Sequence, residues 1–201
     1  MTNRDVVEYK DMTKILKDMD CGSASIEHFI ITKDNFRAII HDGIPTGLYV
    51  RLMINGEVMM SDTPMEKKTN QDFINEAHGR VLIGGLGLGL ILLPVMEKES
   101  VSEIVVVEYN QDVIDLVEPQ LNLSDKVKIV HDDVFEYVPE GVFNTIYMDI
   151  WPYVNSEIYD EEMTPLLEYY KNFIDTGDED AFLHCWCEVQ AENDLRLTEV
   201  L

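Results

Sequence analysis

The sequence predicts a doubly wound α/β domain preceded by a small antiparallel β unit. Three observations carry that expectation. From Arg80 onward, short apolar runs alternate with helical stripes, which is the rhythm of parallel βαβ units with helices on both faces. The first of these runs, Val81-Leu82-Ile83, meets the glycines of Gly84-Gly85-Leu86-Gly87-Leu88-Gly89. Upstream, Asn55-Gly56 separates two apolar runs, and the two central residues of a type I′ hairpin turn both need positive φ.

Taken in order, Tyr9, Met12, Ile15, Leu16 and Met19 recur at helical spacing. The segment from Arg4 to Met19 therefore reads as an amphipathic helix, ended by Cys21-Gly22-Ser23. From Glu27 to Ser61 the pattern changes to short runs: Phe29 to Ile31, Phe36 to Ile40 and Leu48 to Ile54, with Glu57 to Met60 returning after the Asn55-Gly56 turn. The hairpin over residues 47–60 is expected to stand outside the main sheet. Pro64 to Ala77 reads as a linker running into a helix. Strands then follow at Arg80 to Ile83, Glu103 to Glu108, Lys126 to Val130, Thr145 to Ile150 and Ala181 to Cys187. Helices are expected over Gly87 to Lys98, along Val113, Leu116, Val117 and Leu121, across Met163 to Ile174, and from Glu188 to Val200. Right-handed crossovers give the strand order 3-2-1-4-5, counted from Arg80. The boundary expected from this pattern puts the helix and β unit in residues 1–62 and the doubly wound domain in residues 63–201. The strand from Ala181 to Cys187 would be an apolar edge, and such edges are covered or paired. Self-association into a homo-oligomer is the expected cover.

Composition bounds the function. The chain has 201 residues with a formal net charge of −24. A surface this acidic repels phosphate backbones, so nucleic acid is not an expected partner, whereas a cationic small molecule is attracted. The longest strongly apolar stretch, Val81 to Met96, is glycine-rich and too short to span a bilayer. Cys21, Cys185 and Cys187 make no disulfide framework and no metal-ligand spacing. They read as buried thiols of a reducing compartment, and the protein is expected to be cytoplasmic, without a membrane partner or a bound metal. His131 and His184 read as packed strand residues, and no serine sits in a nucleophile elbow.

The chemistry is expected at the C-terminal ends of the strands, where open α/β sheets bind ligands. Gly85, Gly87 and Gly89 let backbone approach a ligand closely. Glu108 ends the second strand, placed to accept hydrogen bonds from a ribose diol. Asp132 and Asp133 end the third, where a carboxylate can accept from an adenine amine. Asp149 ends the fourth and is followed by Trp151 and Tyr153, which are candidates to wall an acceptor pocket and to face a cation.

In this order, Gly85-x-Gly87-x-Gly89, Glu108, Asp132-Asp133 and Asp149 resemble the successive motifs of class I S-adenosylmethionine-dependent methyltransferases. More narrowly, the chain is similar to the spermidine synthase branch. Leu52 to Val58 resembles that branch's N-terminal hairpin, Asp133-Val134-Phe135-Glu136-Tyr137 its adenine-side segment, and Met148-Asp149 the start of its Asp-Ser-Ser-Asp-Pro segment. The resemblance implies a Rossmann-like sheet, here without that fold's C-terminal hairpin. It also implies S-adenosylmethionine, or its decarboxylated form, as cofactor. Gly85, Gly87, Gly89, Glu108, Asp132 and Asp133 would bind the cofactor, and Asp149 would be the catalytic base or orienter. Three departures bear on the reaction. Gly87 replaces the glycine loop's acid, Asp149-Ile150-Trp151-Pro152 lacks the second aspartate, and Asn70-Gln71-Asp72 stands for the Tyr-His/Gln-Glu segment. Gln71, Trp151 and Tyr153 are the expected substrate-side residues. An ammonium without carboxylate partners is costly to desolvate, so methyl transfer to a small acceptor is expected ahead of aminopropyl transfer to a polyamine. A catalytically silent nucleoside-binding or assembly protein is the third reading.

Overall fold

The computed structural model describes residues 7–41, 43–195 and 197. Two sheets organise them. Strands β1 (Met19–Cys21), β2 (Ala24–Ile31), β3 (Gly47–Ile54) and β4 (Glu57–Ser61) form an antiparallel sheet in chain order. Strands β5 (Gly79–Gly84), β6 (Val101–Glu108), β7 (Val127–His131), β8 (Thr145–Met148) and β9 (Phe182–Cys185) form a parallel sheet ordered β7-β6-β5-β8-β9. This is the expected 3-2-1-4-5 order with β5 at its centre. Helices α1 (Met12–Ile15), α2 (Pro64–Thr69), α3 (Gln71–Glu76), α4 (Leu92–Glu97), α5 (Gln111–Val117), α6 (Ser156–Ile158), α7 (Thr164–Tyr170) and α8 (Glu188–Glu192) connect or flank the strands.

Val81, Leu82 and Ile83 are each fully buried because both faces of the parallel sheet are covered. Val81, Ile83, Ile104 and Val106 face one core; Leu82, Val105, Val107 and Ile146 face the other. The first core also takes in Met12, Leu16, Ala24, Ile26, Val50 and Leu52. The antiparallel sheet thus buries one face against the same apolar layer as the parallel sheet, and that burial positions it over the strand ends. Its Asn55-Gly56 turn has φ of 53° and 83°, as the hairpin reading required.

Several elements differ from expectation for tertiary reasons. The N-terminal helix is reduced to α1, capped by Asp11, whose side chain accepts from Thr13 N at 3.2 Å. Tyr9 is instead drawn against α2, its hydroxyl donating to Lys67 O at 2.6 Å. Arg4 to Val6 lie outside the described residues. Cys21-Gly22-Ser23 turns a β hairpin rather than ending a helix. Phe36 to Ile40 form no strand. Asn35 accepts from Thr32 N at 2.7 Å and turns the chain, Arg37–His41 coil into a π-helical turn, and Phe36 and Ile40 remain exposed. The helix expected from Gly87 begins only at Leu92, because Gly85, Gly87 and Gly89 take φ of 94°, 51° and 76°. Helix α8 ends at Glu192, and the expected continuation over Thr198 to Val200 lies outside the described residues.

Strand β9 is the sheet edge, and it stops at Cys185, before Trp186 and Cys187. Phe182 N and Trp186 N both donate toward β8, so the amide of Cys185 points outward. Glu188 caps it at 3.1 Å and also pairs with His184 at 2.9 Å. His184 and His131 are exposed rather than packed, and His131 meets Tyr109 O at 2.9 Å. All three cysteines are free; Cys185 and Cys187 are buried. Among the described residues, no helix is long and apolar enough to cross a membrane, and no group of three or more His, Cys, Asp or Glu could hold a metal ion.

Candidate functional site

A cleft of about 500 Å³ opens at the C-terminal ends of β7, β6, β5 and β8, and β3 and β4 roof it. Its size lies within the range of small-molecule sites. It contains Gly85, Gly87, Glu108, Asp133, Asp149 and Trp151 of the expected site residues.

Glu108 is held by two backbone donors. Leu86 N reaches Oε2 and Asn110 N reaches Oε1, both at 2.8 Å. A carboxylate oxygen has two acceptor sites, so each oxygen keeps one for a ligand. Glu108 also fastens the glycine turn to the next strand. A side chain at Gly85 is impossible for two reasons. Its φ is strained for L residues, and a Cβ would lie 2.4 Å from Asp149 O. Asp133 accepts from Phe135 N at 2.9 Å and is half-buried in the cleft.

The other end of the cleft is built differently. Asp149 leaves β8 with its amide donating to Gly84 O at 2.8 Å. Burial pushes its carboxyl up to about 7, against a hydrogen bond from Asn70 that favours the charged form. Glu66, on α2, is 7% exposed, and its carboxyl also lines the cleft. Burial, and then the charge of Asp149, push it up to about 8 against a backbone hydrogen bond from Ser61. Burial also raises the Tyr9 phenol, with Asp149 and Glu66 adding to the shift. The Cys187 thiol is pushed up to about 12 by burial and the same two acids. Asn70 is completely buried. Its Nδ2 donates to Glu66 O at 3.1 Å, and its Oδ1 accepts from Tyr147 OH at 2.9 Å.

Four expected residues do not reach the cleft. Gly89 serves packing, since a Cβ there would meet Leu121 at 2.5 Å. Asp132 is exposed, and its carboxylate accepts from Asp133 N at 2.8 Å. Gln71 starts α3 one position beyond Asn70, which is the fully buried residue. Tyr153 is 61% exposed, because the chain turns outward after Pro152. Trp151 is buried, lines the cleft and donates to Glu162 at 2.7 Å. Sequence reading missed Glu66, Met60 and Asn110 as lining residues, and Tyr9 as a neighbour of the paired acids. Glu66 is the only buried residue of α2, so no inward stripe signalled it in the sequence. The cleft lining holds four carboxylates, Glu66, Glu108, Asp133 and Asp149, and no Lys, Arg or His.

The chain is similar in structure to class I S-adenosylmethionine-dependent methyltransferases. A spermidine synthase is also among the similar structures: that of Thermotoga maritima has 17% identity, covering 79% of this chain and 52% of that one, with a TM-score of 0.49. An S-adenosylmethionine-dependent methyltransferase from Clostridium acetobutylicum has 14% identity, covering 72% of this chain and 53% of that one, with a TM-score of 0.43. The DhpI-SAM-HEP complex has 16% identity, covering 50% of this chain and 44% of that one, with a TM-score of 0.41. The chain spans about half the length of these proteins. No protein-family model matches it, and no curated protein sequence does.

Proposed function

We propose that the cleft binds S-adenosylmethionine and that the protein is a methyltransferase for a small acceptor. One observation carries this reading. A single cavity presents Asp133, then Glu108, then the glycine turn, then Asp149, in the order of the strands β7, β6, β5 and β8. An adenine amine, a ribose diol and a sulfonium centre follow one another in the same order along such a ligand. The residues fit the group: Glu108 keeps one acceptor site on each oxygen, and Gly85 and Gly87 add no side chain of their own to the cleft. The bound sulfonium would supply an electrophilic carbon. Glu108 holds the ribose, Asp133 accepts from the adenine amine and Trp151 closes one wall. Asp149, with its carboxyl near 7, orients the acceptor and takes the proton that it releases.

Calorimetric titration with S-adenosylmethionine, its decarboxylated form and methylthioadenosine tests this. Binding of S-adenosylmethionine and methylthioadenosine is expected, followed by acceptor screening by product mass and loss of product in Asp149→Asn. Binding of none of the three overturns the reading in favour of a silent or assembly protein. One observation favours a second reading, aminopropyl transfer. Glu66 supplies, beside Asp149, a carboxylate for an ammonium group that the motif departures had left without one. Tight binding of the decarboxylated form alone supports that alternative.

A further inference from the structure

We infer that Met60 sets the tail selectivity of the cleft: its thioether occupies the Leu88 amide at the glycine turn and denies it to a carboxylate on a ligand's tail. The inference rests on reading the cleft as an adenosyl-ligand site.

Three of the turn's amides have strong oxygen acceptors. Gly85 N donates to Val107 O at 2.8 Å, Leu86 N to Glu108 Oε2 at 2.8 Å, and Gly89 N to Leu86 O at 2.9 Å. Leu88 N differs, because its acceptor is Met60 Sδ at 3.2 Å. That sulfur arrives from β4, in the other sheet. A thioether is a weak acceptor, whereas an ionised carboxylate is a strong one. Leu88 N is therefore a turn amide that a carboxylate would gain by capturing, and the methionine covers it. The same sulfur lies 2.2 Å from where a Cβ on Gly87 would stand, so it sits directly on the turn. The register explains its aim. Leu52 on β3 lies opposite Met60, and a bulge between Leu52 and Met53 shifts the pairing beyond it. Opposed residues of an antiparallel pair share a face, and Leu52 is 3% exposed on the inward face.

No cationic side chain in the cleft compensates a tail carboxylate, since the lining has four carboxylates and no Lys, Arg or His. An ammonium on the same tail meets Glu66 and Asp149. The strand order places the tail here. A ribose on Glu108 with its adenine toward β7 directs the rest of the ligand across Gly85 and Gly87 to Asp149.

The test compares two ligands in parent and variants. Methylthioadenosine has no amino-acid tail, and S-adenosylmethionine carries both an ammonium and a carboxylate. Met60→Ala should raise the affinity for S-adenosylmethionine relative to methylthioadenosine by about tenfold, the size of one charge-assisted hydrogen bond. The Leu88 amide resonance should then shift with S-adenosylmethionine and not with methylthioadenosine. Met60→Leu, which keeps the bulk and loses the acceptor, should move the ratio in the same direction by less. It carries the test if the alanine variant does not fold. A ratio within twofold of the parent's, with methylthioadenosine still bound, overturns the role of Met60 and leaves the adenosyl site standing. Failure of S-adenosylmethionine, its decarboxylated form and methylthioadenosine all to bind the parent overturns both.

Discussion

The two ends of the cleft use the same functional group in opposite ways. At the β6 end, Glu108 accepts two backbone hydrogen bonds, so its oxygens are fixed before a ligand arrives. At the β8 end, Asp149 and Glu66 lie close together with less hydrogen-bond support, and burial raises both carboxyls toward neutrality. A carboxylate supplied with N–H donors is a preorganised acceptor for neutral hydroxyls. A pair of carboxylates short of donors is a site whose missing partner is a cation or a proton. Charge count alone does not distinguish them; the supply of backbone amides does.

The largest test of this contrast is at the ordered end. Glu108→Ala should weaken adenosyl-ligand binding by roughly 30- to 1000-fold, since each hydrogen bond to a charged acceptor contributes about 1.5 to 3 kcal/mol. Glu108→Gln should lose less, because one oxygen acceptor remains. The alanine variant also frees the amides of Leu86 and Asn110, so a thermal melt should accompany the titration. A folded Glu108→Ala that binds within twofold of the parent would break the ribose assignment.

At the other end the sign reverses for stability. The Glu66 carboxyl, near 8 when folded, lies above its unfolded value of about 4.3. Its stabilising contribution is therefore complete below pH of about 4 and is lost as pH rises through about 8. Glu66→Gln should be more stable than the parent by about 1 to 3 kcal/mol at pH 9, with the difference shrinking toward pH 4. Urea unfolding at the two pH values reads this directly, and a constant difference would remove the buried-acid argument.

The same titration governs cation binding. A diamine should bind at least about tenfold more tightly at pH 9 than at pH 6, because only the ionised acids are competent partners. Affinity that is flat in pH would mean that Asp149 and Glu66 do not hold the ammonium. The smallest effect separates neighbours. Asp133→Asn should cost adenosyl-ligand binding about tenfold, while Asp132→Asn should change it by less than about twofold, as expected of an exposed acid.

The parallel sheet was legible because its strands are buried on both faces. Val81-Leu82-Ile83 and Val105-Val106-Val107 leave no alternative to a central strand, and crossover handedness then orders the sheet. Glu108, Gly85 and Asp149 were legible because a strand-end position determines which way a side chain or turn faces. Phe36 to Ile40 was misread because local β propensity carries no information about a pairing partner. Gln71 and Asn70 differ by one position along the chain, and Tyr153 and Trp151 by two. Only packing against Tyr147 and α7 settles which of each pair is buried.

The sheet order, the Asn55-Gly56 turn, the break after β5 at Gly85 and the acids at the strand ends are readable from the chain alone. The turns and strand ends follow from local sterics and burial periodicity, and the sheet order from crossover handedness. Tertiary packing alone brings Glu66 to Asp149, sets Tyr9 beside them and lays Met60 over Leu88 N. Each of these contacts joins residues at least 28 positions apart, brought together because the antiparallel sheet, α2 and the parallel sheet bury their apolar faces against one another. No local pattern encodes which polar groups that burial traps at the seam.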